Sequence, residues 1–229
     1  MYIKLGVDKC THHTSQGNGL TKLFVAVVKP NGVLSENSDA NTPGMVDLLR
    51  EKIGGEIYPV HRLDREAGGV MIYARTNQGA AKLSSLVASP DGFEKQYIIV
   101  VHGCPENDSG IFEDLLFKDS RKNKSFVVQR ERKGVKKASL EYRVLKKTEY
   151  NGQAMTLVRV KLHTGRTHQI RVQFSSRKMP VVGDLRYGSA VKTEMCLFSE
   201  KISFTNPFFH EKVSYESKPS GNIWEDFEK

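Results

Sequence analysis

The chain has 229 residues, of which 38% are hydrophobic and 27% are charged, and its formal net charge at pH 7 is +9. These values are ordinary for a globular protein, and the length suffices for one large domain or two small ones with a buried core. The longest apolar runs, 24–28 and 97–101, are too short to cross a bilayer, and residues 1–19 lack the apolar region of a signal peptide, so we expect a cytoplasmic protein.

Apolar periodicity predicts many strands and few helices. Thr42-Pro43, Asn77 and Thr164 are suitable helix N-termini. The predicted elements in chain order are strand 23–29, helix 43–53, strand 70–75, helix 78–88, strands 95–103, 124–130, 138–147 and 154–162, helix 165–176, strands 195–204 and 212–217, and a short helix 222–229. This order indicates an α+β fold with a mostly antiparallel central sheet flanked by helices. We expect a short N-terminal arm over 1–22 and one domain over 23–229, with no clear boundary inside it.

The three cysteines, Cys10, Cys104 and Cys196, are widely spaced. Their odd number and the lack of a C-x-x-C pattern argue against a disulfide framework or a zinc knuckle. Cys10 with His12 and His13 is a possible metal cluster, but a closed zinc site needs about four ligands. We therefore expect no metal, and a polar arm at this end of the chain.

The positive charge is concentrated in residues 118–137, which we call the basic segment. It holds nine Lys or Arg against two acidic residues. Such a concentration attracts polyanions, of which nucleic acid is the commonest, through counterion release. The alternative is a solvated hairpin without a partner. We predict that Lys122, Lys124, Arg132 and Lys133 contact phosphate.

The stretch His61-Arg62-Leu63-Asp64-Arg65-Glu66 places five ionisable side chains directly before an apolar strand. Because Gly68-Gly69 follows, we expect Asp64 on a loop at the rim of the sheet, where active-site residues are often carried. Taken alone, Asp64 is most simply a surface ion pair. In the predicted helix 165–176, however, Arg166 lies on the apolar stripe and needs a partner. Asp64 is a candidate for that partner, and a bidentate pair would hold it in one orientation.

Tyr97 shares one face of its predicted strand with apolar side chains. It is either a core residue or, beside Asp64, a stacking surface for a planar ligand and a group that moves a proton. The sequence has no second carboxylate placed for glycoside hydrolysis and no glycine-rich phosphate loop. A lone carboxylate that attacks an electrophilic carbon fits these residues.

These segments together resemble the RluA-like pseudouridine synthases, whose signature is H-R-L-D-x-x-T-S-G followed by a strand. The resemblance runs in the family's order from about residue 23 to 219, and the ordered set is far more specific than any one piece. The matching residues are Lys29-Pro30-x-Gly32, His61-Arg62-Leu63-Asp64, Lys95-x-Tyr97, Gly165-Arg166-Thr167-His168-Gln169-Ile170-Arg171, Gly183-Asp184, Tyr187-Gly188, Leu197 and Asn206-Pro207.

The resemblance implies a single catalytic domain that isomerises uridine in structured rRNA or tRNA to pseudouridine, with no metal or organic cofactor. Asp64 is expected to be the nucleophile that promotes cleavage of the N-glycosidic bond, by attack on ribose C1′ or uracil C6 or by a glycal route. Tyr97 is expected to stack on the flipped base and to move a proton. Arg166 is expected to pair with Asp64.

The same resemblance implies how the substrate is held. Leu197 is expected to pack under the base, and Arg62 to fill the space that the uridine leaves, which fits the energetics of base flipping. We include His61, which opens the motif, among the substrate-binding residues. The expected partner is structured RNA, with no membrane and no obligate protein partner, and we expect a monomer.

Two departures from the family pattern matter. Ala67-Gly68 stands where the family has Thr-Ser, so two hydroxyls that could brace the loop are missing. Residues 1–22 are too few for the S4-type RNA-binding domain of many relatives, so we expect RNA selection to rest on the catalytic domain and its basic segment. Two rival hypotheses remain: a non-catalytic RNA-binding protein or RNA chaperone on this fold, and an N-glycosidase that releases uracil.

Overall fold

The computed structural model describes residues 4–5, 9–10, 23–37, 42–89, 92–150 and 152–227. The chain separates into two compact units, a first unit of Met1–Lys95 and Phe198–Pro219 and a second unit of Gln96–Leu197 and Ser220–Lys229. The sequence does not predict this boundary. The side chains of Cys10, His12 and His13, the possible metal cluster, lie outside the described part.

Strands dominate the structure. They are β1 (Lys4–Leu5), β2 (Lys9–Cys10), β3 (Phe24–Lys29), β4 (Tyr58–Pro59), β5 (Gly68–Ala74), β6 (Glu94–His102), β7 (Ser109–Asp119), β8 (Lys124–Val128), β9 (Val135–Tyr150), β10 (Gln153–Leu162), β11 (Leu197–Thr205) and β12 (Lys212–Glu216). The α-helices of the described residues are α1 (Met45–Ile53), α2 (Asn77–Ala88) and α3 (Gln169–Ser175). Short 3-10 helices cover Leu185–Tyr187 and Asn222–Phe227. The fold class is therefore α+β, as predicted.

The first unit is built on the strand order β1-β3-β5-β11-β12-β2, with β4 also paired to β5. Neighbouring strands run antiparallel except β5 and β11, which are parallel where Gly68 lies opposite Phe198 and Gly69 opposite Ser199. Its core is aromatic: the rings of Phe93 and Phe204 stack with their centroids 4.4 Å apart. Val70, Ile72 and Ala74 of β5 belong to this core, which therefore anchors the end of the loop that precedes β5.

The second unit has the strand order β6-β10-β9-β7-β8, and the described pairs from β10 to β8 are antiparallel. One apolar cluster includes Val100, Met155 and Val182, and another places Val172 of α3 against Leu116. Residues Gln169–Phe174 of α3 are all buried, because this helix packs onto β7 and β8.

Several predicted boundaries need correction. Helix α1 begins at Met45, since the N–H of Gly44 is bound by the Asp47 carboxylate at 3.0 Å, and not after Thr42. Helix α2 is capped by the hydroxyl of Thr76 rather than by Asn77. The predicted terminal helix is a 3-10 helix, and β7 was not predicted. No helix among the described residues is long and apolar enough to span a membrane.

Candidate active site

Asp64 lies in the loop 60–67 between β4 and β5, which we call the Asp64 loop. Its side chain is half-buried, whereas Arg65 and Glu66 are exposed. Arg62 is exposed over 73% of its side chain and lies 3.5 Å from the Glu36 carboxylate. An exposed surface ion pair of this kind is weak, so Arg62 can leave Glu36 for another anion at little cost.

The small residues after Asp64 allow a tight turn into β5. The N–H of Ala67 donates to the Asp64 carbonyl at 3.1 Å, and Ala67 is 1% exposed. Gly69 has φ +115°, and a Cβ at this position would lie 2.4 Å from backbone atoms of Ser199. Only glycine allows β5 and β11 to approach so closely, which fixes where the Asp64 loop ends.

His61 makes a structural contact at the start of this loop. Its ring is buried, and Nε2 accepts a hydrogen bond from the N–H of Ile72 at 3.0 Å. Burial, together with the charge of Lys95, lowers the pKa of His61 to about 3, so the ring is neutral at pH 7. This position assigns His61 to the support of the loop, and a contact of its ring with substrate stays a prediction.

Two buried polar side chains that the sequence left without a role lie beside the Asp64 loop. Lys29 ends β3, and Ser35 follows it on the next turn. Burial lowers the pKa of Lys29 to about 8, while the nearby carboxylates of Asp64 and Glu66 oppose this change. The sequence signal for this role of Lys29 is its place at the end of an otherwise apolar strand, because a buried lysine needs hydrogen-bond acceptors.

Tyr97 and Leu197 belong to the second unit, and both are buried, at 7% and 6% exposure. Tyr97 lies on β6, and on the same strand the N–H of Val100 donates to the carbonyl of Cys196 at 3.1 Å. The residue before Leu197 is therefore fixed to the strand that carries Tyr97. Tyr97 is therefore buried, and its stacking on a base and its transfer of a proton stay predictions.

The prediction that Arg166 lies in the first turn of a helix, on its buried stripe, is wrong. Arg166 is exposed and precedes α3, which begins at Gln169. The backbone N–H of Arg166 is bound by the Gln169 side chain at 3.0 Å, and its Nε donates to the carbonyl of Lys137 at 2.9 Å. These contacts hold the base of the guanidinium against β9, and its pairing with Asp64 stays a proposal.

Other motif residues of the second unit form its scaffold. Arg171 and Asp184 make a buried bidentate pair, with distances of 2.6 and 2.9 Å. Asp184 caps the 3-10 helix that carries Tyr187, and the hydroxyl of Tyr187 accepts from the N–H of Ser125 on β8 at 2.8 Å. The family motifs after residue 170 therefore tie the basic segment to α3 and its neighbours.

The basic segment forms the end of β7, the strand β8, the start of β9 and the two turns between them. Eight of its nine cations are exposed, Lys124 being half-buried. Lys124 Nζ donates to the carbonyl of Arg186 at 2.7 Å, and the guanidinium of Arg132 lies 4.7 Å from the ring centre of Phe117. Lys122 and Lys133 are exposed in the two turns. The segment is thus an ordered hairpin with a cationic surface, which both the RNA and the solvated-hairpin hypotheses allow.

A family model described as RNA pseudouridylate synthase matches residues 23–176. The chain belongs to this family, which confirms the RluA-like resemblance. The match covers the Asp64 loop, β6 with Tyr97, the basic segment and the residues around Arg166. The family defines the class of protein as an RNA-modifying isomerase, as predicted.

Named relatives agree with this family. An uncharacterised RNA pseudouridine synthase of Aquifex aeolicus (strain VF5) is 37% identical over 203 residues, covering 81% of this chain and 62% of that protein. The tRNA pseudouridine synthase C of Vibrio cholerae is 31% identical over 197 residues, covering 82% and 79%. The ribosomal large subunit pseudouridine synthase C of Buchnera aphidicola is 32% identical, covering 80% and 60%. The chain thus spans less than two thirds of the Aquifex and Buchnera proteins.

Solved structures show the same fold. Human RNA Pseudouridylate Synthase Domain Containing 1 superposes with a TM-score of 0.74 at 22% identity, covering 94% of this chain and 84% of the human one. Human RNA Pseudouridylate Synthase Domain Containing 4 gives a TM-score of 0.71 at 20% identity, covering 94% and 88%. At these identities the likeness concerns the fold, and it confirms the predicted α+β architecture.

Proposed function

We propose that this chain converts a uridine in a folded tRNA or rRNA stem-loop to pseudouridine, with Asp64 as the nucleophile. The reaction is an isomerisation: the bond from N1 to C1′ breaks, a bond from C5 to C1′ forms, C5 loses a proton and N1 gains one. No co-reactant is needed for this balance. The observation that carries the proposal is the half-buried Asp64 on a loop held at both ends, inside the segment that matches the family.

The other residues take roles around this carboxylate. Tyr97 stacks on the flipped uracil and moves a proton, Leu197 packs under the base, and Arg166 pairs with Asp64. Arg62, held at the surface by a weak ion pair, moves to the phosphate or to the space that the uridine leaves. The names of the Vibrio and Buchnera relatives favour tRNA and large-subunit rRNA as the candidate substrates. A monomer in the cytoplasm is part of the same proposal.

Site mapping in total RNA tests the function directly. RNA from cells that lack the gene is treated with wild-type protein, Asp64→Asn or Glu66→Gln, and pseudouridine is read as carbodiimide-dependent stops in reverse transcription. Glu66 is the matched control because it is an exposed carboxylate in the same loop. We expect a discrete new stop with wild type and Glu66→Gln. Asp64→Asn should lower the rate by at least about a thousandfold, as removal of other enzymatic nucleophiles does.

Different outcomes separate the rival hypotheses. A folded wild-type protein that binds RNA but gives no new stop in tRNA or rRNA supports the non-catalytic binder. Release of free uracil with an abasic site supports an N-glycosidase. An Asp64→Asn variant with the wild-type rate removes Asp64 from the role of nucleophile.

A further inference from the structure

The Asp64 loop lies against residues 29–35 of the same unit, which we call the bracing segment. The side chain of Ser35 is buried, at 4% exposure. Its hydroxyl accepts a hydrogen bond from the N–H of Leu63 at 3.0 Å and donates to the carbonyl of Leu63 at 2.8 Å. One hydroxyl therefore satisfies both backbone groups of the residue that directly precedes Asp64.

The residue that directly follows Asp64 is held by the same segment. Lys29 is 0% exposed, and its Nζ donates to the carbonyls of Arg65 at 3.1 Å, Val33 at 2.7 Å and Pro30 at 2.9 Å. The N–H of Gly32 also donates to the Arg65 carbonyl, at 2.8 Å, and Nε of Arg65 donates back to the Gly32 carbonyl at 2.9 Å. The backbone is thus fixed on both sides of the carboxylate.

The bracing segment is itself anchored to the centre of the first unit. The hydroxyl of Tyr73 on β5 donates to the carbonyl of Ser35 at 2.8 Å, and Tyr73 is 0% exposed. The ammonium of Lys29 lies close enough to Asp64 and Glu66 for their carboxylates to attract it. These contacts join β3, β5 and the Asp64 loop into one hydrogen-bonded network.

We propose that Ser35 and Lys29 are positioning residues for the reaction, which hold Asp64 in place and supply the bracing that Ala67-Gly68 lacks relative to the Thr-Ser of the family. The proposal rests on the role of Asp64 as nucleophile. A reacting group must be held within about 0.5 Å of its productive position. Because a displacement of about 1 Å costs on the order of a hundredfold in rate, loss of the brace acts on the chemical step.

Single-turnover kinetics on a substrate RNA tests this role. We expect Ser35→Ala to lower the rate constant about tenfold to a hundredfold while the Kd for RNA stays within about twofold of wild type. Ser35→Thr, which keeps the hydroxyl, should recover most of the rate. The matched control is Ser203→Ala, since Ser203 is 3% exposed in the same unit and its hydroxyl bonds to Glu94 at 3.3 Å. This control should lose thermal stability with the rate nearly unchanged.

Hydrogen exchange gives a readout that does not depend on activity. In wild type the amide of Leu63 should be protected, and in Ser35→Ala, or in Lys29→Met if the first variant does not fold, the Asp64 loop should exchange faster. A Leu63 amide unprotected in wild type, or a Ser35→Ala rate equal to that of Ser203→Ala, overturns the proposal. An active Asp64→Asn variant overturns the proposed function instead, while the exchange result still decides whether the brace exists.

Discussion

At the scale of single residues, Asp64 and His61 show how one short loop can hold two ionisable groups in opposite surroundings. Asp64 is half-buried and reaches solvent, as the proposed role of nucleophile toward an RNA base requires. His61 is enclosed, and its Nε2 receives the N–H of Ile72. The neutral imidazole therefore satisfies a backbone N–H group of β5. Protonation of this ring would break the hydrogen bond, so the stability of the loop depends on pH through His61.

The buried His61 predicts a loss of stability in acid. Its pKa falls from 6.5 to about 3 on folding, so between these values the unfolded state binds the proton and the folded state does not. Stability that is present above pH 6.5 is thus lost as pH falls toward 3, by about 2–3 kcal/mol at pH 4.5.

Denaturant unfolding at pH 7 and pH 4.5 checks this. His61→Gln, whose amide oxygen can accept from Ile72, should lose less stability between the two pH values than wild type does. The exposed His163 offers the control, because His163→Gln should keep the wild-type difference. If all three proteins lost the same stability between pH 7 and pH 4.5, His61 would not be the cause of the acid sensitivity.

At the scale of elements, the close pairing of β5 with β11 fixes the end of the Asp64 loop. This pairing is possible because Gly69 has no side chain. A Cβ on Gly69 would overlap the backbone of Ser199, and the φ of +115° is itself unfavourable for other residues. We expect Gly69→Ala to destabilise the protein by about 3 kcal/mol or more, since neither strand can shift without breaking the parallel ladder.

Gly152→Ala is the matched control for Gly69→Ala. Gly152 also has a positive φ, +74°, but a Cβ there meets nothing within 4 Å. Gly152→Ala should therefore lower the free energy of unfolding only by the cost of a positive φ for alanine, about 1 kcal/mol. Chemical denaturation of both variants measures the difference, and a similar loss in the two would show that the strands of the first unit can move apart.

Elements with a clear apolar period were predictable from sequence, and elements defined by distant contacts were not. Strands such as Gln153–Leu162 alternate visibly, whereas β7 carries Asp114 in its middle, a residue that disfavours strands. In the fold this carboxylate is bound by Arg177 at 2.9 Å and by the Gln173 amide at 2.7 Å. Partners some sixty positions away along the chain leave no local signal.

The same limit applied to the candidate site. The glycines and the strand that follow Asp64 are local features, and they correctly predict that Asp64 lies on a loop. Arg166 was placed on a helix that begins only at Gln169, since the preceding residues are held by the Gln169 side chain, which also donates to the carbonyl of Ser139 at 3.1 Å. That acceptor lies on β9, so periodicity within 165–176 could not reveal it.

At the scale of the whole molecule, the positive charge is distributed unequally between the two units. Most of the net charge of +9 lies in the basic segment, and its acidic residues are already engaged there. Glu131 lies 3.5 Å from Lys137, and Asp119 accepts from the backbone N–H groups of Arg121 and Lys122. The exposed cations therefore face solvent, as the proposed binding of RNA phosphates by this segment requires.

Neutralising these cations should weaken RNA binding and flatten its dependence on salt. Lys122, Lys124, Arg132 and Lys133 together test the segment, but Lys124 and Arg132 also make internal contacts. The cleaner variant is Lys122→Gln with Lys133→Gln, because both side chains are exposed in turns. Each phosphate contact contributes about 0.7–0.9 to the slope of log K against log salt, so this pair should lower the slope by about 1.5.

Lys212→Gln with Lys218→Gln removes the same charge from exposed positions outside the segment and should change the slope much less. Fluorescence anisotropy with a substrate stem-loop over a salt titration measures both pairs, and equal slopes would mean that the phosphate backbone is held elsewhere on the protein.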